Sequence, residues 1–120
     1  MEYMLLIYSD EAAWFNLSPE AMKAAYGEYM KYAKELLDSG VMRGGAELKP
    51  VSTATTLKVR NGKVQTMDGP FIETKEQLGG YFLIDVPNLD EALKWAAKCP
   101  GAQHGSVEVR PLMEPQTSDS

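Results

Sequence analysis

Two runs constrain this chain most: Tyr3-Met4-Leu5-Leu6-Ile7-Tyr8 near its start, and Tyr81-Phe82-Leu83-Ile84-Asp85-Val86 further on. In an extended strand alternate residues face opposite sides, and in both runs each side is dominated by apolar or aromatic groups. Strands of this kind need cover on both faces. At 120 residues the chain has room for one core, and its helical patterns number two. The first opens at Ser18-Pro19-Glu20, where a hydroxyl N-cap, a proline at the first helical position and an acid in the first turn coincide. Met22, Ala25, Tyr26, Tyr29, Ala33, Leu36 and Leu37 then recur at spacings of three and four, and Gly40 stands where a left-handed cap is wanted. The pattern predicts a helix over 19–39. The second follows Pro87-Asn88, with Glu91 at its third position and Leu89, Ala92, Leu93 and Ala96 as its face, and it ends at Cys99-Pro100-Gly101. Two helices cover one face of a sheet. A second copy of the sheet is the economical cover for the other, so a homodimer is expected.

Val41 to Leu48 reads as a strand with Gly44-Gly45 inside it, a place for a bulge or a close backbone approach. Thr55 to Arg60 and Lys63 to Met67 flank Asn61-Gly62, the pair that a type I′ hairpin prefers because both positions need positive φ. Asp68 to Gly80 is mostly polar and rich in turn residues, and reads as a structured loop. Ser106 to Leu112 alternates Val107 and Val109 with Glu108 and Arg110, as a one-sided or edge strand does. The order strand, helix, strand, hairpin insert, strand, helix, strand is the split arrangement of ferredoxin-like α+β domains, β-α-β-(ββ)-β-α-β, an antiparallel sheet with two helices on one face. Residues 1–113 form the expected single domain. Residues 114–120 are polar and read as a flexible tail.

Twelve Lys and Arg against seventeen Asp and Glu give a net charge of -5, the wrong sign for a protein that neutralises nucleic-acid phosphates or an anionic membrane. One Cys and one His exclude a disulfide framework and a Cys/His zinc cluster within one chain. No phosphate loop, dinucleotide fingerprint, Gly-x-Ser-x-Gly or His-Glu-x-x-His motif is present, so no cofactor or metal is expected. The run Met4 to Tyr8 is too short to span a bilayer, and Glu2 stands where a secretory signal carries its basic residues. A cytoplasmic protein is therefore expected, with Cys99 as a small helix-end residue.

The stretch Asp68-Gly69-Pro70-Phe71-Ile72-Glu73-Thr74-Lys75-Glu76-Gln77-Leu78-Gly79-Gly80-Tyr81 closely resembles the signature of the DGPF-domain family, a branch of the YCII-related proteins. The resemblance extends to Tyr3–Tyr8, to Asp90-Glu91-Ala92 and to Gly105–Pro111, and so spans nearly all of residues 1–113. It implies the dimeric α+β barrel, in which two ferredoxin-like sheets pack face to face. It also implies a setting with extracytoplasmic-function sigma factors. In the wider group it implies a His and Asp pair with the His on the first helix. No His stands between Pro19 and Ser39, so the pair is not carried over unless His104 supplies it from the far end.

Several residues are candidates for chemistry, each with a structural alternative. Asp68 is a general base if a barrel mouth buries it, or a side chain that caps the turn at Gly69-Pro70. Glu73 and Lys75 share a face if extended and can grip a polar ligand, or belong to a solvated loop. His104 is the one group that titrates near neutrality, in what reads as a flexible polar connection, Gly101 to Gly105. Arg110 either clamps a carboxylate or pairs across the sheet. The aromatic set Tyr3, Tyr8, Trp14, Phe15, Tyr26, Tyr29, Phe71, Tyr81 and Phe82 either lines a pocket for a flat ligand or, for most of its members, builds the core. Trp14 and Phe15 precede the first helix in a loop, and are too large to leave wet, so they cover the core, a partner or a pocket.

These readings lead to a homodimer that binds a small organic ligand in a cleft between sheet and helices. The lining residues are Tyr8, Asp68, Phe71 and Glu73, with Lys75 and Arg110 as further contacts. Cofactor-free acid-base chemistry of the isomerase or lyase kind fits, with Asp68 as base and His104 as a second candidate. The alternative is a non-catalytic accessory protein that docks its acidic surface on a sigma factor. Haem chemistry is a third reading.

Overall fold

The computed structural model describes residues 1–114. Among these the order is β1 (Glu2–Ser9), α1 (Glu11–Phe15), α2 (Pro19–Asp38), β2 (Met42–Glu47), a 3-10 turn (Val51–Thr53), β3 (Thr55–Arg60), β4 (Lys63–Asp68), β5 (Gln77–Asp85), α3 (Leu89–Lys98), α4 (Gly101–His104) and β6 (Ser106–Pro111). The tail expected at 114–120 lies outside the described residues from 115 onwards. Among the described residues no helix is long and apolar enough to cross a membrane.

The caps act as their residue types require. Ser18 Oγ accepts from the Ala21 amide at 3.1 Å, Pro19 opens α2, and Asn88 Oδ1 accepts from the Glu91 amide at 3.0 Å. Asn61 and Gly62 have φ of 51° and 74°, the two positive angles that turn β3 back on β4.

Four strands form an antiparallel sheet in the order β2-β5-β1-β6. That is the ferredoxin-like order, with the two doubly apolar strands at the centre. Register explains their composition. Tyr3, Leu5 and Ile7 lie opposite Ile84, Phe82 and Gly80, and this face packs against Tyr32 and Leu36 of α2, Ala92 and Ala96 of α3, and Cys99. Leu5, Leu36, Ile84 and Cys99 are fully buried. Truncating Leu5 to Ala removes buried methyl groups at the middle of this layer, and a loss of about 2–5 kcal/mol is expected in urea unfolding. The opposite face pairs Met4 with Leu83, Leu6 with Tyr81 and Tyr8 with Leu78, all half-buried, and no helix lies over it.

β3 and β4 form a separate two-stranded sheet that makes only sparse contact with the other elements. One face carries Leu57, Val59 and Val64, each more than half exposed, while Lys58, Arg60 and Lys63 share the other with Gln65 and Met67.

Four sequence expectations need correction. Trp14 and Phe15 are in a one-turn helix, not a loop, because Asp10 Oδ1 accepts from the Ala12 amide and caps it. The loop expected to run to Gly80 ends early: Gln77, Leu78 and Gly80 already pair with β1, because glycine has the same local signature inside a close-packed strand as in a turn. Gly101 to His104 is a short helix, anchored by the buried Gly101, and not a flexible connection. Finally, Leu37, Leu89 and Leu93 are largely exposed while Tyr32 is buried. α2 turns Tyr32 inward because its hydroxyl donates to the Trp95 carbonyl at 2.7 Å and its ring meets Phe82 and Trp95 edge-on.

Candidate functional site

The helix-covered face of the sheet does not close completely. Between α2 and the β2-β5 end of the sheet lies a cavity of about 350 Å³, roofed by α1. Its floor depends on two small residues. A Cβ at Gly80 would stand 2.8 Å from the Ala46 carbonyl oxygen, and one at Gly45 2.9 Å from a Phe82 ring carbon, so the strands approach more closely than any other residue allows. The close approach expected at Gly44-Gly45 is present, with a register shift between Met42 and Gly44.

The walls are mostly apolar: Trp14, Phe15, Tyr26, Tyr29, Met42 and Phe82 among others. Trp14 and Tyr26 meet edge to face at 5.5 Å. Burial, with Cys99 nearby, pushes the Tyr29 phenol well above its ordinary value, so it stays neutral at physiological pH.

Besides the phenols of Tyr26 and Tyr29, the wall carries two carboxylates, Glu11 and Glu47. The Tyr26 hydroxyl donates to Glu47 Oε2 at 2.7 Å, and that bond, with burial, raises the Tyr26 pKa. Glu47 Oε1 has no hydrogen-bond partner among the described residues and is free to meet a ligand. Glu11, at the start of α1, accepts from the Val51 amide through Oε2 at 2.9 Å, while its own amide donates to Gln77 Oε1 at 2.9 Å. These bonds tie α1 to the 3-10 turn and to β5, holding Trp14 and Phe15 over the cavity. Chemically, a carboxylate with a free oxygen beside a protonated phenol, in an aromatic pocket, can accept a proton from one atom of a ligand and hold another.

Trp14 and Phe15, expected to cover the core, a partner or a pocket, do line the cavity, but the residues singled out for polar chemistry, with Tyr8 and Phe71, lie elsewhere. Asp68 ends β4, exposed, and its carboxylate makes no hydrogen bond among the described residues. The turn after it is held by backbone and Thr56 instead: the Gly69 amide donates to Ala54 O at 2.7 Å, the Thr56 hydroxyl to Gly69 O at 2.9 Å, and Gly69 has φ +99°. Phe71 is exposed, with the Lys58 ammonium 5.0 Å above its ring. Glu73 and Lys75 are exposed and form no ion pair with each other among the described residues. Tyr8 and Arg110 are brought together on the open sheet face by Glu108, which accepts from the Tyr8 hydroxyl at 3.4 Å and from the Arg110 guanidinium at 2.8 Å. His104 is exposed at the end of α4, beside a shallow polar depression with Glu28, Lys31, Glu35 and Lys98. The cleft is therefore between sheet and helices, as expected, but none of these seven side chains lines it. No group of three His, Cys, Asp or Glu side chains able to hold a metal occurs among the described residues.

The pattern of the YCII-related domain matches residues 1–116. The chain belongs to the YCII-related family. Among its relatives is an uncharacterised protein of Rhizobium meliloti, 40% identical over 114 residues, which cover 93% of this chain and 92% of that protein. The fold is shared with 5-chloro-2-hydroxyhydroquinone dehydrochlorinase from Burkholderia phenoliruptrix, solved in complex with 2,5-dihydroxybenzoquinone. Identity is 12%, the TM-score is 0.55, and the match covers 96% of each chain. The resemblance of the Asp68–Tyr81 run thus led to the right family and fold. In this YCII-related chain, however, residues 69–76 of the run form a loop outside the cavity, and only Gly79 and Gly80, within β5, line it.

What the sequence reading missed is Glu47 and Glu11; Tyr26 was a candidate as a pocket aromatic, but not as a hydrogen-bond donor to Glu47. The available signal was an acid directly after Gly-Gly-Ala in an otherwise short strand, at a register position opposite Gly80.

Proposed function

We propose that this YCII-related protein binds a small, largely apolar organic molecule between α2 and the sheet and acts on it by cofactor-free acid-base chemistry, with Glu47 as base and Tyr26 as its positioned hydrogen-bond donor. The observation that carries the reading is the Tyr26–Glu47 bond in the wall of an aromatic cavity of about 350 Å³, within the usual range for small-molecule sites. The dehydrochlorinase that shares the fold is described with a six-membered quinone bound, a molecule of suitable size for such a space. Isomerisation and elimination are the matching reaction classes, because both need one base and one held proton.

The open sheet face supports a homodimer within the same proposal. Met4, Leu6, Leu78, Tyr81 and Leu83 leave a half-exposed apolar layer on the central strands, and an identical layer is a fitting cover. Native and denaturing mass spectra of freshly purified protein read subunit count and retained small molecules together. The expected result is a dimer, dissociated by Leu6→Glu, with added mass that disappears on denaturation. A wild-type monomer would remove the dimer. A dimer that is clean, and that binds no small aromatic molecule on titration, would remove the ligand reading and bring the sigma-factor alternative forward.

Asp68 and Glu47 are separable as bases. Once a turned-over ligand is in hand, Glu47→Gln should lower the rate by about 10²–10⁴-fold while Asp68→Asn leaves it within twofold. The reverse outcome returns the role to Asp68.

A further inference from the structure

The side chains around the cavity have a one-sided charge. Glu11 and Glu47 line it, and among the described residues no Lys, Arg or His does. Five aromatic residues complete the wall: Trp14, Phe15, Tyr26, Tyr29 and Phe82. Aromatic faces carry negative potential and attract cations, and the half-buried Glu11 and the exposed Glu47 at the cavity's edge add charge of the same sign. An anionic ligand would meet two negative charges with no compensating donor of positive sign. A neutral ligand would satisfy the free oxygens of Glu11 and Glu47 only through ordinary hydrogen bonds. The net charge of -5 over the whole chain adds a field of the same sign.

We infer that the cavity selects an organic cation: a molecule with an apolar, ring-sized body and an amine in its ammonium form. The inference rests on the ligand-binding reading above and names its class. The ring lies among the aromatic side chains. The ammonium donates to a carboxylate oxygen that the protein leaves unpartnered, Oε1 of Glu11 or of Glu47, since the other oxygen of each is held by Val51 N or by Tyr26. Both carboxylates can be neutralised without dismantling their supports. A glutamine at either position still offers a carbonyl oxygen, to the Val51 amide in one case and to the Tyr26 hydroxyl in the other.

The test uses the full chain with Trp95→Phe, which leaves Trp14 in the cavity roof as the single fluorescent indole. Three probes with the same ring are titrated: 2-phenylethylamine, 2-phenylethanol and 3-phenylpropanoate. The expected order is ammonium tighter than alcohol by about tenfold, with the carboxylate weakest, and the ammonium preference shrinking as salt is raised. Glu11→Gln or Glu47→Gln should reduce ammonium affinity about tenfold and leave the alcohol within twofold. Alcohol binding that equals or exceeds ammonium binding would overturn the charge selection while leaving the cavity a ligand site. Carboxylate binding best would overturn it likewise. Failure of all three probes to bind would overturn both readings.

Discussion

Gly105→Ala should be among the most destabilising single-atom additions in this protein, at a cost of about 3–5 kcal/mol against a total that for small domains is of the order of 5–15 kcal/mol. The reason is contact with backbone rather than backbone conformation. A Cβ at Gly105 would stand 2.1 Å from the Tyr8 carbonyl oxygen and 3.2 Å from Ser9 Cα, so β1 and the start of β6 must separate to admit it. A flexible side chain can move aside, but a paired central strand cannot without loss of its ladder. Gly27 is the internal contrast. It lies within α2, with nothing within 4 Å of its would-be Cβ, so Gly27→Ala should stabilise by about 0.5–1 kcal/mol through helix propensity alone. Urea unfolding of the two variants should move the midpoint in opposite directions. Equal or like-signed shifts would show that the Gly105 contact is relieved at little cost.

The second large effect is alkaline. Tyr32 is 3% exposed, and burial, then Cys99, Tyr29 and Glu35, raises its pKa well above the ordinary 10.0. Tyr29 is raised from the same starting value, chiefly by burial and by Cys99. Cys99, fully buried, is raised from 9.0 by burial, partly offset by hydrogen bonds from Gly101, Tyr29 and Ala102. These are acids whose neutral form the folded state prefers. Folding therefore holds their protons longer than the unfolded chain does, and the stabilisation is complete below the unfolded values. It drains as pH climbs above about 9 for the thiol and about 10 for the phenols, at about 1.4 kcal/mol per pH unit for each group. With both phenols in that window their losses act in the same direction, so stability falls more steeply above about pH 10 than either group alone would make it. Loss of far-UV circular dichroism should therefore accompany the appearance of the Tyr29 and Tyr32 phenolates near 295 nm. Tyr32→Phe should make the alkaline slope shallower even though it forfeits the 2.7 Å bond to Trp95. Phenolates that form well below the unfolding transition would contradict the account.

The fold was legible because its signals are local. Ser18-Pro19, Asn88 with Glu91, Asn61-Gly62 and the doubly apolar strands each act within a few residues, and each produced the element it announces. The errors fell where tertiary contact overrules a local signal. Gly79-Gly80 looks like a turn, yet Gly80 is a strand residue whose missing side chain admits β2. Tyr32 sits outside the stripe drawn by spacing, yet its bond to Trp95 fixes which way α2 rolls. The site was harder still. Glu11, Tyr26 and Glu47 come from α1, α2 and β2, and only the assembled layer places them around one space. The motif that names the family is visible because it is a continuous run, and continuity along the chain says nothing about convergence in space. Among the polar candidates, the structure unites Tyr8 and Arg110, through Glu108, while the aromatic candidates Trp14, Phe15, Tyr26, Tyr29 and Phe82 meet around the cavity.

The hairpin of β3 and β4 has a dynamic consequence. An isolated two-stranded ribbon has little free energy of its own, and this one meets the remaining elements only sparsely. It should open and reclose without disturbing the helix-covered core, as a separate cooperative unit. Its amides would then exchange with deuterium through local opening, far sooner than those of β1 and β5. Mutations at Gly105 would accelerate exchange in the core strands while leaving the hairpin's rate where it was.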